Sequence, residues 1–138
     1  MTYLLDTNVL SELRKSERCD PVVATWARAQ DPRDLFTSVL VIGEIRKGIE
    51  RRRRSDAAQA AVLEAWLASV QNAFDGRILP IDSDAAQDWG LLNAPKTLPP
   101  IDSLLAATAR VHGMTLVTRA SAIPAGAGLA ILNPFQPR

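Results

Sequence analysis

The chain has 138 residues, of which 47% are hydrophobic, and a formal net charge of +1. This length and composition exclude a disordered chain or a disulfide-stapled mini-protein and indicate a single domain over residues 1–138 with a real core. Because acidic and basic residues nearly balance, no overall positive field attracts nucleic acid, and only a local basic cluster could do so.

The cysteine content and the N-terminus indicate a compartment. The single cysteine, Cys19, cannot form an internal disulfide, which fits a reducing cytosol. The N-terminus lacks a basic segment followed by a long apolar region, and no apolar run approaches the roughly 18 residues of a membrane span. We therefore expect a soluble, cytoplasmic protein.

The first predicted element is a short buried strand that starts at Tyr3 and delivers Asp6 to its carboxyl end. Thr7 and Asn8 follow, and a short helix is expected over residues 9–14. In open parallel α/β sheets the functional crevice lies beyond the carboxyl ends of the strands. Asp6 is therefore a candidate ligand or catalyst.

Strands and helices alternate through the rest of the chain. This alternation predicts an α/β fold with a mostly parallel sheet and helices on both faces. The predicted elements are a helix opened by Asp20 and Pro21, a strand over 35–37, a helix from 39 to the arginine run, an alanine-rich helix over 55–74, an irregular or edge strand over 78–81, a helix starting at Asp82 and Ser83, a loop over 93–100, a helix over 102–112, a strand over 115–118 and a last strand over 129–132.

Two of these helices carry expectations about which side chains face inward. The helix that starts at Ser83 is expected to pack Trp89, Leu91 and Leu92 inward. The three tryptophans of the chain, Trp26, Trp66 and Trp89, are interpreted as core or dimer-surface residues rather than base-stacking platforms. The apolar positions at helical spacing in the alanine-rich helix are Ala58, Ala61, Val62, Ala65, Trp66 and Val70.

Glu44 lies on an apolar stripe of the helix that begins near residue 39. It shares this stripe with Leu40, Val41 and Gly48. That face should point inward, where an unpaired carboxylate is strongly unfavourable. Glu44 must then be protonated, paired with an arginine, or neutralised by a metal ion.

Asp102 precedes a run of good helix formers over residues 103–109. Taken alone, an aspartate at this position is most simply an N-cap. However, a parallel topology brings the carboxyl end of the first strand near the helices that flank it. Asp6, Glu44 and Asp102 could converge there.

Three carboxylates around one crevice, without a histidine or cysteine cluster, favour Mg²⁺ or Mn²⁺ over zinc. His112, the only histidine, precedes Gly113 near a helix C-terminus and is interpreted as a cap-region residue, so a serine or cysteine triad has no base. A carboxylate-bound Mg²⁺ can polarise a phosphoryl group, generate hydroxide and stabilise a leaving alkoxide. Phosphodiester hydrolysis is the predicted reaction class.

Four short motifs span nearly the whole chain. They are Leu5-Asp6-Thr7-Asn8-Val9-Leu10, Glu44 followed by Gly48, Asp102 before Leu105-Ala106-Ala107-Thr108-Ala109, and Leu116-Val117-Thr118-Arg119, with Asn133-Pro134-Phe135 near the end. In order and spacing they resemble the motifs of PIN-domain nucleases, most closely VapC-type toxins and their FitB-like branch.

The resemblance implies a three-layer α/β/α sandwich whose acidic cluster binds Mg²⁺ or Mn²⁺ and cleaves RNA endonucleolytically, often tRNA or another structured RNA. It also implies the toxin of a type II toxin–antitoxin system, a homodimer silenced by a VapB-like antitoxin whose C-terminal segment occupies the active-site groove. By matching position, the metal-binding catalytic acids would be Asp6, Glu44 and Asp102, and the residues shaping the site would be Thr7, Asn8 and Thr118.

One segment departs from the family pattern. After Arg119 the family usually has an Asn or Asp, with a further acid a few residues on, whereas this chain has Ala120 to Pro124 without any acid. A site with three carboxylates can hold one Mg²⁺ through waters, but a second metal would bind weakly.

Basic residues offer two places for RNA contact. The run of four arginines at residues 51–54 is either a solvated helix end favoured by the helix dipole or a phosphate-binding edge. In the second interpretation, Arg51 and Arg52 contact RNA without reading its bases. Arg119, next to the expected pocket, is a candidate for a direct phosphate contact, with a surface salt bridge as the alternative.

Two other functions remain as alternatives. The missing acid favours a catalytically impaired PIN-like protein that binds RNA or antitoxin without efficient cleavage. An aspartyl-phosphate phosphatase would also use Asp6, but it usually has a second Asp two residues later, where this chain has Asn8.

Overall fold

The structure is a computed structural model, and it describes residues 1–119, 123 and 128–137. These residues contain five strands and six α-helices. In chain order the elements are β1 (Tyr3–Leu5), α1 (Thr7–Arg14), a 3₁₀ turn (Ser16–Arg18), α2 (Pro21–Arg28), a second 3₁₀ turn (Pro32–Asp34), β2 (Leu35–Ser38), α3 (Val39–Arg53), α4 (Ala57–Ala73), β3 (Ile78–Leu79), α5 (Ser83–Asn93), α6 (Pro100–Val111), β4 (Thr115–Val117) and β5 (Ala130–Leu132).

The strands form one parallel sheet in the order β3-β2-β1-β4-β5. The central strand is β1, in which Leu4 and Leu5 are fully buried, as expected for a short apolar strand covered on both faces. Leu4 lies opposite Phe36 of β2 and Leu116 of β4. Helices flank this sheet, so the predicted three-layer α/β/α architecture is confirmed.

Aspartates begin several helices, as the sequence predicted at two positions. The Asp20 carboxylate accepts a hydrogen bond from the Val22 amide at 2.8 Å, and Pro21 occupies the first position of α2. The Asp82 carboxylate accepts from the Ala85 amide at 2.9 Å at the start of α5. These caps fix where the chain leaves a strand or loop and enters a helix.

One expectation about an inward face is wrong, and a second helix buries other positions than its apolar spacing indicated. In α4 the buried residues are Ala60, Leu67 and Val70, so only Val70 of the predicted stripe is buried, and Val62 is 56% exposed. Leu91 of α5 is 69% exposed instead of packed inward. Both helices carry apolar residues on several sides, so spacing alone does not identify the side that packs against the sheet.

The edges of the sheet agree with the sequence prediction. Strand β3 precedes Pro80 and lies at one edge, and β5 forms the other. Most of the loop between β4 and β5 lies outside the described residues. No helix in the described part of the chain is long and apolar enough to cross a membrane.

One shielded ion pair joins two helices. Arg110 of α6 donates from Nε and Nη2 to the two carboxylate oxygens of Asp88 in α5, at 2.9 and 2.8 Å. The two side chains are only 23% and 16% exposed. Two parallel hydrogen bonds at low exposure make this contact stronger than the ion pairs on the surface.

We expect Asp88→Ala to lower the free energy of unfolding by about 2 kcal/mol, because a guanidinium with little exposure loses its carboxylate. Chemical denaturation measures this change. The control is Arg33→Ala, which removes the surface pair with Asp31, where Arg33 is 88% exposed, and it should lower the free energy of unfolding clearly less than Asp88→Ala. Equal losses in the two variants would contradict the difference in burial.

Candidate active site

Asp6 lies directly after the central strand and is only 7% exposed. Its backbone amide donates to the Val117 carbonyl at 3.2 Å, which continues the pairing of β1 with β4 by one residue. Its carboxylate accepts hydrogen bonds from the Val9 amide at 3.0 Å and from the Thr118 hydroxyl at 2.5 Å. Asp6 is therefore the N-cap of α1 and a fixed acid at the carboxyl edge of the sheet.

Burial raises the pKa of Asp6 above its ordinary value. The hydrogen bonds from Thr118 and Val9 lower that pKa, and the negative charges of Asp102 and Glu44 raise it further. Asp6, Glu44 and Asp102 therefore lie within electrostatic range of one another. A common site formed by the three acids stays a prediction.

Glu44 is half-buried on α3. It is adjacent in sequence to the buried residue Ile45 and follows the buried residue Val41 by three positions. Its carboxylate accepts a hydrogen bond from the Thr7 hydroxyl at 2.6 Å. Since Thr7 is the first residue of α1, this bond ties Glu44 to the segment that carries Asp6. In the described part of the chain, Glu44 forms no ion pair with an arginine, so that interpretation does not hold.

Asp102 is not the N-cap of its helix. Helix α6 begins at Pro100, with Pro99 as the cap residue, so Asp102 lies inside the first turn. Proline is favoured at the first helical position because its missing N–H would be unpaired there, and the helix therefore starts earlier than the sequence prediction. Burial and the charge of Glu44 raise the pKa of Asp102.

A buried serine, which the sequence analysis did not single out, holds the first turn of α6. The Ser103 hydroxyl donates to the Pro99 carbonyl at 2.7 Å and accepts from the Trp89 indole at 3.0 Å. Trp89 is therefore a structural residue, as predicted, but with a polar contact. In the sequence, the only indication of a role for Ser103 was a tryptophan on the preceding helix, and a tryptophan alone does not identify its hydrogen-bond acceptor.

The three acids lack a positive counter-charge among the residues that the structure describes. None of the seven ion pairs found there involves Asp6, Glu44 or Asp102. In the same residues, no three His, Cys, Asp or Glu side chains are arranged to hold a metal ion by themselves. The site is thus a set of mutually repelling carboxylates with hydroxyl donors, all of them hard oxygen groups.

The other predicted site residues differ in their exposure and in their hydrogen bonds. Thr118 is 6% exposed and bonded to Asp6, whereas Asn8 is exposed and its side chain makes no hydrogen bond to a described residue. The expectation that Asn8 shapes the cluster by hydrogen bonding stays a prediction. Arg51 and Arg52 are exposed in the last turn of α3, and Arg119 is exposed directly after Thr118.

The segment without a fourth acid lies mostly outside the described residues. Of Ala120 to Pro124 only Ile123 is described, and it is buried at 3% exposure. His112 is the C-cap residue of α6, as predicted.

Comparison with known proteins gives a family match over most of the chain. The PIN domain model matches residues 3–125. The VapC ribonuclease Y4jK of Sinorhizobium fredii is 35% identical over 97% of this chain and 98% of its own length. The toxin FitB of Neisseria gonorrhoeae is 30% identical over 96% of this chain and 98% of its own. A crystal structure of FitAcB from the same organism superposes with a TM-score of 0.86 at 29% identity, covering 97% of this chain and 99% of that one.

The raised pKa of Asp102 has a consequence for stability. A raised carboxyl pKa means that the folded protein keeps its proton to higher pH than the unfolded chain, so stability falls as pH rises above the ordinary aspartate value of about 4. We expect Asp102→Asn to melt about 1 to 3 °C higher than the parent at pH 7 in EDTA. The difference should vanish below about pH 4.

Thermal unfolding followed by circular dichroism at several pH values measures this effect. Asp84→Asn is the matched control, because Asp84 is also an acid in the first turn of a helix but is exposed. It should give no stabilisation. A parent protein more stable than Asp102→Asn at pH 7 in EDTA would contradict the repulsion inferred from the site.

Proposed function

Because the chain belongs to the PIN-domain family, we propose that it is the toxin of a type II toxin–antitoxin system and acts as a metal-dependent endoribonuclease. The observation that carries this proposal is that Glu44 is bonded at 2.6 Å to Thr7, the residue after Asp6, with Asp102 within electrostatic range of both acids. The names of the relatives, a VapC ribonuclease and a toxin, support it. One nuclease domain would occupy residues 1–138.

The proposed cofactor is Mg²⁺ or Mn²⁺, held by Asp6, Glu44 and Asp102. The donors fit such an ion because they are hard oxygens, they repel one another, and the described residues give them no cationic partner. Since no three acidic side chains are arranged to ligate an ion alone, water would complete the coordination, as is usual for Mg²⁺. When bound, the ion would supply an activated water and charge stabilisation for phosphodiester hydrolysis.

The chain's own residues would hold the acids in position for that reaction. The Val9 amide and the Thr118 hydroxyl each bond one oxygen of the Asp6 carboxylate, which fixes its rotation. Thr7 fixes Glu44 in the same way. These bonds orient the acids before substrate arrives, so less reorganisation is needed during catalysis.

RNA would be held by arginines outside the acidic cluster, because the carboxylates themselves repel phosphates. We propose Arg119 beside Thr118, and Arg51 and Arg52 at the end of α3, as these contacts. Arg53 and Arg46 are less available, since both bind Glu64 and Glu50 in the described structure. The substrate would be tRNA or another structured RNA.

The partners proposed are a VapB-like antitoxin and a second copy of the chain, in the cytoplasm. The family resemblance supports both. Large apolar side chains that are exposed in the isolated chain, among them Leu91 and Val62, leave surface that association could cover.

A second candidate function is RNA or antitoxin binding without efficient cleavage. The absence of an acid between Ala120 and Pro124 favours it, because fewer carboxylates weaken metal binding and charge neutralisation. The same cleavage experiment separates the two functions.

We expect the parent protein to cleave a tRNA mixture in Mg²⁺, and Asp6→Asn to lower the cleavage rate by at least about 100-fold, because a ligand of the metal is lost. Asn caps helices as well as Asp does, so folding should persist. Asp56→Asn is the matched control, because Asp56 caps α4 through the Gln59 amide and is exposed. Gel analysis of end-labelled RNA measures cleavage.

Equal cleavage by Asp6→Asn and the parent would contradict the assigned site. Binding of RNA by the parent without cleavage in either Mg²⁺ or Mn²⁺ would support the second candidate function instead.

The contribution of α3 to RNA binding can be measured separately. We expect the double variant Arg51→Gln, Arg52→Gln to bind RNA more weakly in EDTA and to lower the slope of log affinity against log salt by about 0.7 to 0.9 per arginine. Fluorescence anisotropy at several salt concentrations gives the slope. Arg46→Gln with Arg53→Gln removes equal charge from arginines that are already paired, and it should change the slope less. A slope unchanged by the first pair would mean that this helix end is only a solvated surface.

A further inference from the structure

The C-terminal turn contacts the segment that follows β4. The Thr118 amide donates to the Leu132 carbonyl at 3.0 Å, one residue beyond the end of β4. The Asn133 side-chain amide donates to the Arg119 carbonyl at 2.6 Å, and its oxygen accepts from the Phe135 amide at 2.9 Å. Asn133 thus links the backbone of Arg119 to that of Phe135.

This linkage places a ring against a guanidinium. The Arg119 guanidinium carbon lies 4.4 Å from the centroid of the Phe135 ring, well within cation–π range. Pro134 is fully buried and Phe135 packs partly against the core, so the ring is anchored. A guanidinium held over a ring keeps the N–H groups that point away from the ring available for a phosphate.

The Arg119 guanidinium forms no ion pair with any residue that the structure describes. No carboxylate in residues 1–119, 123 and 128–137 lies within ion-pairing distance of its guanidinium. The pKa of Glu12 is lowered first by hydrogen bonds from the Asp20 amide at 2.8 Å and from Lys15 at 3.0 Å, and last by the charge of Arg119, so this carboxylate already has its partners. The surface salt bridge considered for Arg119 is therefore not present in this part of the chain.

The position of Arg119 relative to the acids follows from Thr118. The Thr118 hydroxyl bonds Asp6, and Arg119 is the next residue, so the backbone of Arg119 lies beside the acidic site. Arg119 is exposed there and does not neutralise the carboxylates. A free exposed arginine would lose much side-chain entropy on binding a phosphate, and the Phe135 ring reduces that loss.

We propose that Phe135 is a positioning residue for RNA binding: its ring holds the Arg119 guanidinium at the rim of the acidic site, oriented toward a substrate phosphate. This inference rests on the proposed nuclease function and assigns the C-terminal turn a role in it. Asn133 supports the same arrangement through its two backbone contacts.

The test is a double-mutant cycle on binding of a fluorescein-labelled RNA stem-loop in EDTA, where cleavage cannot interfere. Phe135→Leu keeps apolar volume but removes the ring, and we expect it to weaken binding about two- to fivefold. Phe135→Trp should bind as the parent does. In an Arg119→Ala background, Phe135→Leu should cause no further loss, because the ring acts through that guanidinium.

Steady-state kinetics gives a second measure in Mg²⁺. Phe135→Leu should raise KM by the same factor and leave kcat unchanged, because the contact acts on binding and not on the metal site. A ring with only a structural role would instead lower stability without a selective change in KM.

The chain contains a matched control. Arg77 lies over the Phe74 ring at 5.2 Å at the β3 edge, and it also donates to the Pro32 carbonyl at 2.7 Å. Phe74→Leu removes an arginine–aromatic pair of the same kind away from the acids. It should leave RNA affinity and KM unchanged, while thermal unfolding shows whether the two variants are comparably folded.

Each outcome separates the role of Phe135 from the proposed function. If Phe135→Leu binds as the parent does, or if its loss adds to that of Arg119→Ala, the positioning role is overturned while the nuclease function stands. If the parent binds no RNA, the proposed function is overturned together with this role. The stack itself is tested without RNA by NMR, since ring current shifts the Arg119 Nε–H resonance upfield in the parent and not in Phe135→Leu, and an unshifted resonance in the parent would overturn it.

Discussion

The candidate site depends on a carboxylate buried at the end of the central strand, with no ion-pairing cation among the residues that the structure describes. Asp6 is retained there because α1 begins at that point and because β4 brings Thr118 alongside, so its oxygens accept two hydrogen bonds. These bonds offset only part of the cost of burial, since the pKa of Asp6 is still raised. The negative charges of Asp102 and Glu44 raise the pKa of Asp6 further, so the folded chain holds like charges close together.

Local chemistry made the elements and the central acid predictable. A short apolar run before Asp6, helix caps at Asp20 and Asp82, and the proline after β3 each act within a few residues, so their effects can be inferred from sequence. The exposure of Leu91 was mispredicted, and the buried positions of α4 differ from its apolar spacing, because packing partners decide both and several sides of those helices are apolar.

The candidate site was predictable in its residue types more than in its contacts. Glu44 was expected at an inward position and lies half-buried, held by Thr7 across 37 residues of sequence. Asp102 was expected at a helix start, but two prolines move that start and place it inside the first turn. The stack of Arg119 on Phe135 depends on the pairing of β4 with β5 and on a turn at Asn133, and neither is visible in residue spacing.

The Thr118–Asp6 hydrogen bond joins residues 112 positions apart, and this separation matters while the chain is being made. Strands β1 and β2 are close in sequence and can pair early, whereas β4 is synthesised last but one among the strands. On the ribosome, where N-terminal segments emerge first, Asp6 therefore lacks its hydroxyl partner until the C-terminal segment docks. A nascent or truncated chain that lacks β4 and Thr118 therefore leaves the Asp6 carboxylate without this hydrogen bond.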